Sequence, residues 1–350
     1  MIDILGAYLT AVRKGHNLTS ALITGQTLRN YAKSAADCLT ILTGGPYTYY
    51  DPATMSMKRM ALHPYLNEQI AQRSTWTKPK PRKEPFTYRM LAVHAQQLLS
   101  TDPDPLGVYA SLSYVVWDWM RLGVFTGSRV SEYAQSGLRK HHRFQVIPSN
   151  KDTGEWAGQP LAFIREDFQF FDARQRLVPL LELHSAHGKG LVSTVHIRFR
   201  YDKSSENFSI RKFSRTDDAI LDPVDAAVSI LHRADLLLVP KEEPIGVYAT
   251  SLPSFLFLRD YHIRDILRRM CIAAYSDPTH YLRLHIDRLV PHSNRVTAAV
   301  CLQMGGASHE DIAFRLRWKV GSVPTYLREC FQEVGTIMSS TLVQGAFKTS

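Results

Sequence analysis

Apolar side chains recur at helical spacing through Leu112, Val115, Val116, Trp119 and Met120, which predicts a buried helix over residues 109–122 closed by Gly123. Earlier in the chain, residues 24–42 place Leu28, Tyr31, Ala35, Cys38, Leu39 and Leu42 on one face, with Thr24 as N-cap and Gly44-Gly45 beyond the end. A further short helix is expected over 64–73. The period then changes. Over residues 193–201, Val195, Ile197, Phe199 and Tyr201 alternate with His196, Arg198 and Arg200, the pattern of a half-buried strand. Turn residues DKSSEN follow, and a second strand runs through Phe208 and Ile210, so a β-hairpin with Lys203 near its turn is expected. Asp222 and Pro223 supply an N-cap and a first-turn proline for a helix. More helices are expected over 263–275 and 295–304. Ser308 with Asp311 forms a capping box for a helix ending in RLRW, and Ser322 is expected to cap a last helix holding Tyr326.

Between residues 73 and 86 the chain reads RSTWTKPKPRKEPF, in which Pro79, Pro81 and Pro85 alternate with Lys78, Lys80, Arg82 and Lys83. Proline removes backbone donors and the like charges repel, so this stretch suits an extended linker. The expected organisation is a small helical domain over 1–76, a basic linker over 77–86 and a larger domain over 87–350, mainly α-helical with a small β-hairpin or sheet. No internal repeat or low-complexity segment interrupts it.

The composition is that of a folded protein: 45% of the 350 residues are hydrophobic and 21% charged, enough apolar surface for two cores. No apolar run approaches the roughly 18 residues that span a bilayer, and the first residues lack a signal-peptide pattern, so neither a membrane nor a secretory role is expected. Cys38, Cys271, Cys301 and Cys330 form no CxxC pair, which suggests reduced, mostly buried thiols of an intracellular protein. With 42 Lys and Arg against 32 Asp and Glu, the net charge of +10 favours a polyanionic partner. Nucleic acid leads, although an acidic lipid surface or a ribosome would satisfy charge alone. There is no phosphate-binding G-x-x-x-x-G-K-[ST] and no dinucleotide-binding glycine pattern, so no nucleotide cofactor is expected. His141-His142 has no carboxylate or cysteine at ligand spacing, so no metal is expected either. HGKG, at residues 187–190, reads as a loop.

Three motifs stand in a definite order: GSRVSE at residues 127–132, HSNR at 292–295, and RLRWKVGSVPTYLR at 315–328. Taken singly, each has an ordinary explanation. Arg129 and Glu132 could be an i, i+3 pair on an exposed helix. H-x-x-R also occurs at His280 with Arg283 and at His285 with Arg288, where surface or loop roles are expected, and Trp318 could be a core residue. Taken together and in order, they resemble the tyrosine recombinase (phage integrase) superfamily. The flanks HSNRVTAAV and LRWKVGSVPTYLR look most like recombinases of Crypton-type eukaryotic mobile elements. The eight-residue step from Trp318 to Tyr326 is one shorter than is usual in bacterial and phage members and suits the mobile-element branch. The T-x-x-T-x-x-x-Y helix from Thr24 and the HPYLNEQIAQR stretch suit that group's helical core-binding (SAM-like) domain.

The resemblance implies a two-domain DNA clamp and site-specific strand cleavage and rejoining through a covalent 3′-phosphotyrosine intermediate, without metal or cofactor. It maps the catalytic set onto Arg129, Lys203, His292, Arg295, Trp318 and the nucleophile Tyr326, with Glu132 in support. The chemistry needs these types. Two guanidinium forks offer permanently charged, bidentate donors to a phosphate that gains negative charge. A phenol with a pKa near roughly 10 needs a proton acceptor nearby, for which His292 is the best placed. The departing 5′ oxygen needs a proton back, a task the family gives to the hairpin lysine. Lys212, on the following strand, is the alternative to Lys203. Trp318 would donate its indole N–H to the phosphate.

The partners implied are double-stranded DNA, held in part by Lys78, Lys80, Arg82 and Lys83, and a homotetramer on two duplexes. Location would be intracellular, and nuclear in a eukaryotic host. Two alternatives share these residues: a domesticated DNA-binding protein that no longer cuts, and a type IB topoisomerase-like enzyme that relaxes DNA without a partner duplex.

Overall fold

In the computed structural model the chain divides into two compact units, residues 1–81 and 82–350. The structure describes residues 83–101, 110–136, 143–149, 154–183, 185–201, 207–251, 254–324 and 327, and six isolated positions before residue 58. In the first unit, β1 (Tyr50–Asp51) pairs antiparallel with β2 (Ser56–Met57), and Tyr31 is helical. The rest of the helices expected over 24–42 and 64–73 lies outside the described residues.

The second unit is mainly helical around a small antiparallel sheet. Its helices α1 (Tyr88–Thr101) and α2 (Leu112–Thr126) precede β3 (Phe168–Asp172), two short helices, α3 (Leu180–Leu183) and α4 (Ala186–Leu191), and strands β4 (Val192–Phe199) and β5 (Ser209–Ser214). Then come α5 (Pro223–Leu236), the two-residue strands β6 (Val247–Tyr248) and β7 (Leu256–Phe257), α6 (Asp260–Ala274), α7 (Tyr281–Leu284), α8 (Ser293–Met304) and α9 (His309–Leu316). Strand order is β3-β4-β5, with β4 antiparallel to both neighbours, so the expected hairpin forms and gains a third strand that alternation had not indicated.

Helix α2 organises the core. Its Trp119 stacks on Tyr133 at 4.9 Å and on Phe163 at 6.1 Å, joining it to the turn that follows and to the segment before β3. Charge is buried on the same helix: Asp118 accepts from Arg121 at 2.6 Å and from Arg233 of α5, so the two cations share one carboxylate out of solvent. Such an arrangement survives burial because each charge is paired.

Helix α2 does not stop at Gly123 as expected but continues to Thr126. The physical reason is packing rather than termination. A Cβ at Gly123 would fall 1.7 Å from the Asn294 amide nitrogen, so glycine is what lets α8 approach α2 this closely. The helix ends instead at Gly127, in the left-handed region at φ 55, where glycine carries no steric cost. A side chain there would meet Leu316 of α9 at 2.6 Å. Two glycines thus bring α8 and the end of α9 against the end of α2.

Other expectations are corrected locally. HGKG lies in α4 rather than a loop. Arg200, expected on the solvent side of its strand, is 2% exposed because it turns inward to donate to Pro160 O at 2.8 Å and to Gln159 Oε1 at 2.6 Å. Of the cysteines, Cys271 is buried and Cys301 exposed; Cys38 and Cys330 lie outside the described residues. Among the described residues, no helix is long and apolar enough to cross a membrane.

Candidate active site

Three segments converge where α2 ends. The first is the turn after Gly127. Arg129 is extended (φ −74, ψ 148) and leads into a single 3-10 turn over Val130–Glu132. The Glu132 carboxylate reaches back to accept the Arg129 backbone N–H at 2.8 Å and its guanidinium at 3.2 Å, which fixes the arginine at both ends. Glu132 is only 3% exposed, so this is no pair on an exposed helix.

The second segment opens α8. His292 is its N-cap residue and Arg295 sits in its first turn. Arg295 is buried, and its guanidinium donates to Gly127 O at 3.0 Å, tying α8 to the Arg129 turn. The other H-x-x-R pairs, expected in surface or loop roles, are half-buried and structural, with Arg283 in α7 and Arg288 in a 3-10 turn. His280 accepts from Leu282 N at the start of α7, Arg283 donates to Tyr275 O, and Arg288 pairs with Glu84 at 3.1 Å.

The third segment is the end of α9, begun by the Ser308–Asp311 capping box. Its C-cap is Arg317, in the left-handed region at φ 58, a conformation costing a side chain about 1–2 kcal/mol. The strain turns the chain so that Trp318 faces the Arg295 guanidinium, 4.9 Å from the ring centre. It also drives the Arg317 side chain inward, where it packs over Phe199 at 3.6 Å and grips both Glu132 oxygens, at 2.8 and 3.1 Å.

The result is an open cavity of about 570 Å³ lined by Arg129, His292, Arg295 and Trp318, with Ser131, Tyr201, Arg317 and Lys319 around them. Its electrostatics are uneven. Burial opposes ionisation of Glu132, but Arg317 first, then Arg129 and Arg295, outweigh it and hold the carboxyl down at about 2. Burial, reinforced by Arg295, Lys83 and Arg129, lowers His292 from 6.5 to about 4. The imidazole is therefore neutral near pH 7 and can accept a proton while the guanidinium groups beside it stay charged. Such a cavity can receive an anion and pair it with a general base.

Of the residues picked out by sequence, Arg129, Glu132, His292, Arg295 and Trp318 meet here. Lys83 contributes its charge to the His292 environment. Lys78, Lys80, Arg82, Lys203, Tyr326 and the His141-His142 pair lie outside the described residues, but some flanks are placed. Tyr201, two residues past the end of β4, lines the cavity. Ser322 lines it too, its hydroxyl donating to Lys319 O at 2.6 Å. Val323 and Leu327, on either side of Tyr326, are buried with Leu316, Ile312 and Ala298 in a small core between α8 and α9. Lys212 is not among the lining residues. It stands opposite His196 in the sheet and donates to Gln175 Oε1 at 2.8 Å.

Sequence reasoning missed Arg317. Within RLRW, Arg315 and Arg317 look equivalent, yet Arg315 packs outside over Phe213 while Arg317 is sealed inside. The available signal was position: the residue just past a helix that begins at a capping box is where the backbone reverses. Compared with known families and with curated proteins, the chain matches no family model and no curated protein.

Proposed function

We propose that this protein is a DNA strand-cleaving and rejoining enzyme of the tyrosine recombinase type, acting for a mobile element through a 3′-phosphotyrosine intermediate. The observation that carries this reading is the meeting of Arg129, His292, Arg295 and Trp318, from three separate segments, in one cavity.

In this reading the scissile phosphate lies between Arg129 and Arg295, whose charges gain most as the pentacoordinate phosphorus forms. The Tyr326 oxygen attacks phosphorus and passes its proton to neutral His292. Lys203 protonates the departing 5′ oxygen, and the Trp318 indole steadies a nonbridging oxygen. The phosphotyrosyl ester keeps the energy of the broken phosphodiester, so an incoming 5′-hydroxyl reverses the step and joins strands. Lys78, Lys80, Arg82 and Lys83 hold the duplex backbone, and exchange between two duplexes calls for four protomers in a closed arrangement.

The test is to incubate the protein with duplex DNA from the flanks of its own gene, denature with detergent and look for protein covalently attached to DNA. Attachment is expected. Binding to that duplex without any attached protein would favour a DNA-binding role without cleavage.

A further inference from the structure

We infer that Arg317 is the positioning residue that cancels the buried Glu132 carboxylate and so leaves Arg129 and Arg295 with the net positive charge to receive an anion. The inference rests on the reading that this cavity takes a phosphate group.

The argument begins with a conflict. A cavity built to receive an anion contains a carboxylate, and Glu132 is ionised and 3% exposed, with one oxygen 3.2 Å from the Arg129 guanidinium. A buried negative charge at that distance competes with any ligand for the same cation, and low local polarity makes the competition severe. The structure cannot dispense with it, because the same carboxylate closes the Arg129 turn through the backbone N–H.

Arg317 resolves the conflict. It takes both oxygens in a fork, the strongest geometry for this pair. Arg317 borders the cavity, but its side chain is fully buried and both its terminal nitrogens are taken by Glu132, so it acts through that carboxylate. Its backbone is held left-handed to deliver it, and Phe199 covers the guanidinium face. The charged groups facing Glu132 are Arg129 from the turn, Arg295 from α8 and Arg317 from the end of α9. Neighbouring Tyr133 is pushed above the ordinary tyrosine range by burial and then by Glu132, so it stays neutral. With Arg317, the cluster holds three cations and one anion. Without it, one of the two remaining cations is cancelled.

The test uses the full-length protein, sulfate as the probe because its charge is constant between pH 5 and 8, and titration calorimetry as the readout. Arg317→Gly suits the left-handed backbone and is expected to weaken sulfate binding at pH 7.5 by about tenfold or more. Two rescues separate charge cancellation from a packing role. The double variant Glu132→Gln/Arg317→Gly removes both charges and should return sulfate affinity to within a few fold of wild type. Arg317→Gly should also gain more sulfate affinity than wild type as pH falls from 7.5 to 5, because Glu132 loses its strongest counter-charge and takes up a proton, while the charge gained by His292 toward pH 5 is common to both proteins. Wild-type binding in Arg317→Gly, or no recovery in the double variant, would overturn the inference while leaving the anion cavity standing. If wild type itself binds no sulfate, or binds it equally well after Arg295→Ala, the anion cavity fails and the inference falls with it.

Discussion

Glu132 and Arg317 form a fully buried, two-bond ion pair across 185 positions of sequence, with oxygen to nitrogen distances of 2.8 and 3.1 Å. One carboxylate therefore joins the turn after α2 to the end of α9 and orients Arg129 as it does so. Stability and site geometry depend on the same contact.

That coupling gives a pH signature. Glu132 has its pKa lowered on folding, from 4.5 to about 2. Its contribution to stability is therefore fully present above its unfolded value and is lost as pH falls through the folded one. The gap in thermal stability between wild type and Glu132→Gln should be widest near neutral pH and narrow steadily from about pH 5 toward about pH 2. A constant gap over that window would mean that the carboxylate is not held ionised by its arginines.

His292 should behave as a neutral base. In the DNA-free protein its imidazole resonances are expected to titrate near 4 rather than 6.5, the combined result of burial and neighbouring Arg295, Lys83 and Arg129. Arg295→Ala removes the largest of those charges and should move the midpoint upward. A midpoint near 6.5 in wild type would place the imidazole in solvent instead of in the cavity wall.

The fold was legible where local chemistry decides it. Asp222 does cap α5, accepting from Val224 N at 2.8 Å, and the Ser308–Asp311 box starts α9 as its spacing indicates. Valine and isoleucine alternation located β4. What escaped depends on contacts far along the chain. Gly123 looks like a helix stop, and only the arrival of Asn294 explains why it sits inside the helix. Arg200 alternates like a solvent-facing residue but is drawn in by Pro160 and Gln159. The site was legible as a set of residue types in order, while the identity of the partner that steadies Glu132 was not, since RLRW offers two arginines with equal claim.

The arginines should separate chemistry from binding. Arg129→Ala and Arg295→Ala remove charge that matters most in the transition state, so each is expected to slow single-turnover cleavage by about a hundredfold or more. In the proposed reading Lys78, Lys80, Arg82 and Lys83 hold the duplex backbone, so duplex affinity should fall much less. A variant that loses binding and cleavage in equal measure would make its arginine a DNA anchor rather than a stabiliser of the reacting phosphate.

The identity of the nucleophile is the central claim, and a single-atom change tests it. Tyr326→Phe removes only the phenol oxygen. Given a cognate duplex nicked close to the scissile phosphate, so that the cleaved strand end diffuses away and rejoining is blocked, wild type should accumulate a covalent protein–DNA adduct. Peptide mapping should place the nucleotide on Tyr326. Tyr326→Phe should bind the same duplex within a few fold and form no adduct. An adduct that persists in Tyr326→Phe, or a wild-type protein that binds the nicked duplex and never becomes attached, would contradict the account.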